Sequence, residues 1–194
     1  MGFEATKDEH IVIPLHRPGP DERFFFFISG IVTSVPLTLF ANQLSGSLID
    51  ALPAFYATVL PIVIFAPFIE EFAKAFPPFY RHGETQRSIF SLGFLVGLGF
   101  GVTEFLLYVF LLGVPAPLRL PGVLFHAAST SIASYGVAMK RIGRYYLVAV
   151  GLHFLNNFSA VVEPLWLIGG PIAVGAAYLL SWRLYRQTAD RMVV

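Results

Sequence analysis

The 194-residue chain is 56% hydrophobic and 13% charged, with mean hydropathy +0.69 and net charge +1. Soluble domains carry about a quarter charged residues, so this composition excludes an ordinary soluble fold, and the balanced, scattered charge excludes a nucleic-acid partner. The absence of cysteine excludes disulfide frameworks, thiolate metal sites and a cysteine nucleophile.

Residues 1–23 mix Lys7, Asp8, Glu9, His10, His16, Arg17, Asp21, Glu22 and Arg23 and read as a polar N-terminal arm, unlike the short basic start of a secretory signal. Six apolar stretches then have the length of a spanning helix, at 24–44, 52–76, 89–112, 121–139, 145–162 and 165–185. The first lacks a small-residue cleavage site and is expected to be retained. The expectation is an all-α, polytopic transmembrane bundle of about six spans, one domain over 24–185 with a cytoplasmic tail over 186–194. Lys7, Arg17, Arg23, Arg81, Arg87, Lys140, Arg141, Arg144, Arg183, Arg186 and Arg191 fall on the side of the termini and only Arg119 opposite, which predicts both termini cytoplasmic.

In the second span, Pro77-Pro78 should end the helix at 76, leaving Glu70, Glu71 and Lys74 in its last two turns. The third span carries Gly93-x-x-x-Gly97-x-x-x-Gly101, a stripe that lets a neighbouring backbone approach, with Glu104 three residues on. The fourth places His126, Ser129, Thr130, Ala133 and Ser134 on one helical face, and the fifth places Ala149, His153, Asn156, Asn157 and Ala160 on another. Spans two to five form the expected functional core, with one and six as outer support.

An ionisable side chain in the middle of a span costs about 2.5–3.5 kcal/mol unless it is paired or wetted. The acids and histidines must therefore face one another or a water-filled cavity. All four aspartates lie outside the spans, which removes an aspartyl dyad, and neither His-Glu-x-x-His nor Gly-x-Ser-x-Gly occurs. Glutamate and histidine chemistry remains: a buried carboxylate as general base, with histidine or asparagine donors to an oxyanion.

Glu70-Glu71-Phe72-Ala73-Lys74, Phe100-x-x-x-Glu104 with Tyr108, His126-x-x-x-Thr130 and His153-x-x-Asn156, in this order on consecutive spans, resemble the PrsW family of intramembrane proteases. That family is related to the CAAX prenyl endopeptidases and to the Aph-1 subunit of gamma-secretase. The resemblance covers residues 60–160 and implies a glutamate-dependent or metal-dependent endopeptidase acting on a membrane-protein substrate within the bilayer. By the same analogy Glu70 is the base or a metal-linked acid, Glu71 its partner, and His126 and His153 stabilisers or ligands. The chain departs from the family in Thr103-Glu104-Phe105, where asparagine often follows the glutamate, and in its shortness.

Two chemistries fit these residues. In one, glutamate activates water with no cofactor; in the other, His126, His153 and Glu104 bind Zn²⁺ while Glu70 or Glu71 is the base. Neither histidine has a second ligand on its own helix, which tips the balance toward the metal-free form. A non-enzymatic Aph-1-like scaffold and a proton-coupled transporter are the competing functions, and nothing in the sequence specifies an oligomer.

Each residue also has a plainer reading. Glu70, Glu71 and Lys74 would make a snorkelling ion cluster, Glu104 a structural hydrogen-bonder, His126 an interfacial residue, and Asn156 and Asn157 interhelical glue. His10, His16 and His82 read as solvated, and Arg119 and Glu163 as loop residues without a role. On straight helices with these boundaries, the cluster would be spread over about 10–15 Å of depth; kinking of the second span at Pro53, Pro61 or Pro67 would close that gap, and without it there would be two half-sites.

Overall fold

In a computed structural model that describes residues 16–49, 52–80, 85–162 and 165–193, the chain is built from helical rods joined by short turns. The expectations attached to Lys7, His10, Arg81, His82 and Glu163 lie outside these residues. Six rods follow one another among the described residues: α1 (20–49), α2 (54–80), α3 (86–111), α4 (Ala116–Ala138), α5 (Ile142–Val161) and α6 (Trp166–Gln187). α1, α2 and α3 each contain a π-helical turn, at Gly30–Ser34, Pro61–Phe65 and Leu107–Leu111.

Pro20–Gln43, Ala54–Phe79, Gln86–Leu111 and Leu167–Gln187 are long and apolar enough to cross a membrane. α4 and α5 are not among these four. α4 is the central helix, packed by α2, α3, α5 and α6, and every residue from Phe125 to Gly136 is buried. Such a helix need not be apolar where its hydroxyls are satisfied inside: Thr130 Oγ1 donates to the His126 carbonyl at 2.8 Å and Ser131 Oγ to the Ala128 carbonyl at 2.7 Å, and Ser134 Oγ alone of its serine and threonine hydroxyls is left without a partner. The outer rods expose Phe40, Phe55, Phe110, Leu167 and Leu179, an apolar surface suited to lipid.

The glycine stripe seats α3 directly on α4. A Cβ on Gly97 would collide with the His126 carbonyl and lie 2.6 Å from Thr130 Oγ1, and one on Gly101 would lie 2.9 Å from Val123 Cα.

The expected stop at Pro77-Pro78 is corrected: α2 runs through both prolines to Tyr80. Pro77 deprives the Ala73 carbonyl of its helical donor, and the Ser34 hydroxyl of α1 donates to that carbonyl at 2.9 Å. A similar repair holds the π turn. The Ala66 N–H reaches back to the Pro61 carbonyl and Pro67 has no N–H, so the Ile62 carbonyl is left open. Asn157 Nδ2 of α5 donates to it at 2.9 Å. At Pro77 and Pro67 a neighbouring side chain thus replaces a backbone donor that proline lacks.

Short connections make successive rods antiparallel. At the end that carries Gln86 and Gln187, here termed basal, the C-terminal segment closes over the start of α3. The Gln86 and Arg87 N–H groups, two of the orphan donors of that helix start, bond the Arg191 and Ala189 carbonyls at 3.1 and 3.3 Å. Ser34→Ala should lower stability in detergent by about 1–3 kcal/mol, the cost of an unsatisfied buried carbonyl. In a Pro77→Ala background, where residue 77 regains an N–H, the same change should cost less than half as much by thermal unfolding; equal losses in both backgrounds would refute the account.

Candidate active site

Helical spacing puts Glu71 and Lys74 on one side of α2, where both are fully buried, and leaves Glu70 on the adjoining side with 12% of its side chain exposed. Continuation of α2 past its prolines sets the depth of this segment. At 1.5 Å per residue, Glu71 stands about 14 Å from the basal end of α2, against about 8 Å had the helix stopped at 76. His153 and His126 lie about 17 and 18 Å from the basal ends of α5 and α4, at nearly the same level. Glu104 is higher, about 27 Å along α3. The His126 ring bridges this difference, so the residues are not split between two half-sites.

One hydrogen-bonded chain joins α2, α3, α4 and α5. Lys74 Nζ donates to Glu71 Oε1 at 2.7 Å and to His126 Nδ1 at 2.8 Å. An ammonium cannot accept, so Nδ1 of His126 is the acceptor and its Nε2–H donates to Glu104 Oε2 at 2.6 Å. Glu71 Oε1 also accepts from Ser129 Oγ at 3.1 Å and from His153 Nδ1 at 2.9 Å. With its proton on Nδ1, a neutral His153 presents a bare Nε2, which lies 3.8 Å from Glu70 Oε2. That Glu70 oxygen is buried and has no hydrogen-bond partner.

Aromatic rings wall the two imidazoles. Phe125 meets His126 and His153 edge to face at centroid distances of 5.7 and 5.3 Å, Phe100 meets His126 at 5.1 Å, and Lys74 Nζ lies 5.0 Å from the Phe100 ring centre. The cluster reaches the surface through Glu104 and Arg119, whose side chains are 21% and 28% exposed and whose carboxylate and guanidinium lie 3.1 Å apart.

Several sequence readings change here. Arg119, read as a loop residue, sits in α4, pairs with Glu104 and lies 3.7 Å over the Tyr108 ring. Glu70, Glu71 and Lys74 do not snorkel at a helix end, and His126 is 3% exposed rather than interfacial. Thr130 supports the α3–α4 contact without a bond to the acids. Asn157 serves the α2 backbone and is interhelical glue, while Asn156 Nδ2 donates to Asn157 Oδ1 at 3.2 Å within α5. His16, read as solvated, is exposed but 2.8 Å from Glu22. Ser129 is the polar partner that sequence reasoning undervalued; its place on the His126 face was the available signal.

The metal-ligand set also shifts. Ligand atoms of Glu70, His126 and His153 lie within 4.8 Å of one another, with Glu70 in the place expected for Glu104. Glu70 Oε2 and His153 Nε2 are open to a cation, and Glu71 behind His153 is the carboxylate that typically orients a ligating imidazole. Both nitrogens of His126 are engaged, so it joins the set by releasing either Lys74 or Glu104. The residues therefore fit a divalent ion held by two histidines and one glutamate with an open position.

Compared with known proteins, residues 22–183 match the family model described as PrsW family intramembrane metalloprotease. No curated protein and no solved structure matches the chain.

The buried Glu71–Lys74 pair should be stabilising only as a pair. Lys74→Met or Glu71→Gln alone should cost about 3–5 kcal/mol in thermal unfolding, because each leaves its partner buried without compensation. The double variant should recover part of that loss, and additive costs would show that the two side chains do not depend on each other.

Proposed function

The chain belongs to the PrsW family of intramembrane metalloproteases, and from that premise we propose that it hydrolyses a peptide bond of a membrane-associated protein at the Glu70, Glu71, Glu104, His126 and His153 cluster. The observation that carries this reading is the contrast between two adjacent carboxylates. Each keeps one buried oxygen without a partner, but Glu71 is anchored by three donors on its other oxygen, whereas the open oxygen of Glu70 faces the bare nitrogen of His153 at 3.8 Å. A carboxylate so placed is available to water or to a cation.

In the metal-dependent form Glu70, His126 and His153 would hold a divalent ion, which supplies an acidified water and polarises the scissile carbonyl. The remaining steps belong to the chain. Glu104, held by Arg119, takes the proton of the attacking water and returns it to the leaving amine. Glu71 fixes His153 in the tautomer that presents Nε2, and Lys74 neutralises the carboxylate that does so. The engagement of both His126 nitrogens favours the second, metal-free form, in which Glu70 is the general base and the oxyanion takes an N–H from His153 once its Nε2 is protonated, or from His126 once it releases Glu104.

The bundle is read as about six spans, α1 to α6, one domain over 24–185 between the polar arm 1–23 and the tail 186–194. α4 and α5 cross as the polar interior of the bundle, and the basic residues of the basal end put both termini in the cytoplasm. The kinship with CAAX prenyl endopeptidases and Aph-1 belongs to this reading, with proteolysis, rather than scaffolding or proton transport, as the activity.

Purified protein incubated with a panel of membrane-protein substrates should cleave at least one. Glu70→Gln should reduce the rate at least about 100-fold with unfolding unchanged. A strong chelator should abolish cleavage and Zn²⁺ restore it in the metal-dependent form, with Glu104→Gln then as damaging as Glu70→Gln. Cleavage insensitive to chelator but lost in Glu70→Gln selects the metal-free form. Undiminished cleavage by both Glu70→Gln and His153→Ala would overturn the site.

A further inference from the structure

A cavity of about 710 Å³ opens between α3 and α6 near the basal end, and none of the cluster residues lines it. α3 and α6 both pack on α4, and near their basal ends they touch through Phe90 and Tyr185, whose ring centres lie 5.7 Å apart. The walls are apolar and aromatic, from Phe94 and Leu95 on α3 to Tyr178 and Trp182 on α6, both of which are 54% exposed at the outer face. The cavity therefore opens sideways, toward whatever surrounds the bundle.

Its basal mouth is cationic. Arg17, Arg23 and Arg87 line it against the single carboxylate of Asp190. Asp190 is engaged only weakly, 3.5 Å from Arg17, with 80% of the Arg17 side chain exposed. Among the described residues neither Arg23 nor Arg87 has a carboxylate partner. Arg87 donates one Nη to the Thr188 carbonyl at 2.8 Å and stacks 5.4 Å from the Tyr185 ring, while its buried Nε has no acceptor. A guanidinium held rigidly with an unfilled donor is suited to a phosphate oxygen.

Cationic mouth, apolar walls and sideways opening occur together at one bundle end. A soluble anion would use only the first, and an apolar partner helix would leave the arginines unanswered. We propose that the cavity binds one anionic phospholipid, its phosphate on Arg23 and Arg87 with Arg17 near by, and an acyl chain along Phe94, Leu95 and Trp182. Basic pockets between spanning helices take lipid headgroups in this way. The site is independent of the proteolytic centre and holds α1, α3, α6 and the C-terminal segment together at their basal ends.

Native mass spectrometry of the protein in detergent doped with equal phosphatidylglycerol and phosphatidylcholine tests this directly. One phosphatidylglycerol should be retained in preference to phosphatidylcholine, and millimolar inorganic phosphate should not displace it. Arg23→Gln should weaken retention about fivefold, and Arg87→Gln by a similar factor. Arg23 is exposed and its backbone N–H bonds the Gly19 carbonyl, which a side-chain change leaves in place, so its variant serves where Arg87→Gln loosens the C-terminal segment. The control Lys140→Gln/Arg141→Gln, at the α4–α5 turn, should retain the lipid fully. Equal retention of the two lipids, displacement by phosphate, unchanged binding in Arg23→Gln, an equal loss in the control, or a second copy crosslinked into the cavity would each overturn the proposal.

Discussion

Oε1 of Glu71 collects hydrogen bonds from Lys74 on its own helix, Ser129 on α4 and His153 on α5, at 2.7, 3.1 and 2.9 Å, in a place where neither Glu71 nor Lys74 has any exposure to solvent. An ion pair with no access to water is a weak source of stability in itself, because desolvation offsets most of the attraction. It is a strong source of specificity, since sliding or rotating any of the three helices strips a donor from a charge that nothing else can solvate. Lys74 extends the constraint to His126, and His126 extends it to Glu104 and Arg119. The relative positions of four helices are thus tied to one oxygen atom.

Such a chain is possible only because the backbones come close. Gly97 and Gly101 remove the side chains that would hold α3 away from α4, which brings Glu104 within reach of an imidazole on the next helix. The same contact explains why α4 can carry a run of hydroxyls and still be the most buried helix. Thr130 and Ser131 close onto its own carbonyls, Ser131 also meets Ser181 of α6, Ser129 serves Glu71, and the outer helices carry the apolar surface.

Much of this was legible in the sequence, for reasons that can be named. Apolar runs of spanning length give rods, and ionisable residues inside such runs have to meet, so Glu71, Lys74, Glu104, His126 and His153 could be assigned to one core of four helices before any coordinate was known. What escaped depends on contacts between distant parts of the chain. Pro77-Pro78 reads as a stop because local rules do not include the hydroxyl of Ser34, 43 residues upstream, that takes over the duty of the missing amide. Arg119 looked like a loop residue because a long cation near a helix start usually faces water, and only the placement of Glu104 and Tyr108 draws it inward. Glu70 and Glu71 are adjacent and chemically identical; burial separates their duties, and burial is a property of the assembled bundle.

The π turn at Pro61–Phe65 has a geometric consequence for everything that follows it. A π turn accommodates one residue beyond the α-helical count, and each residue corresponds to about 100° of rotation. The apolar stretch before it and the acidic stretch after it are therefore out of phase with an uninterrupted helix. Phe55 and Tyr56 face outward on one side of that break while Glu71 and Lys74 face inward on the other. The bond from Asn157 to the Ile62 carbonyl is then more than glue, because it pins the point at which the phase changes. In this helix the azimuth of the acids is written by a single extra residue two turns away from them.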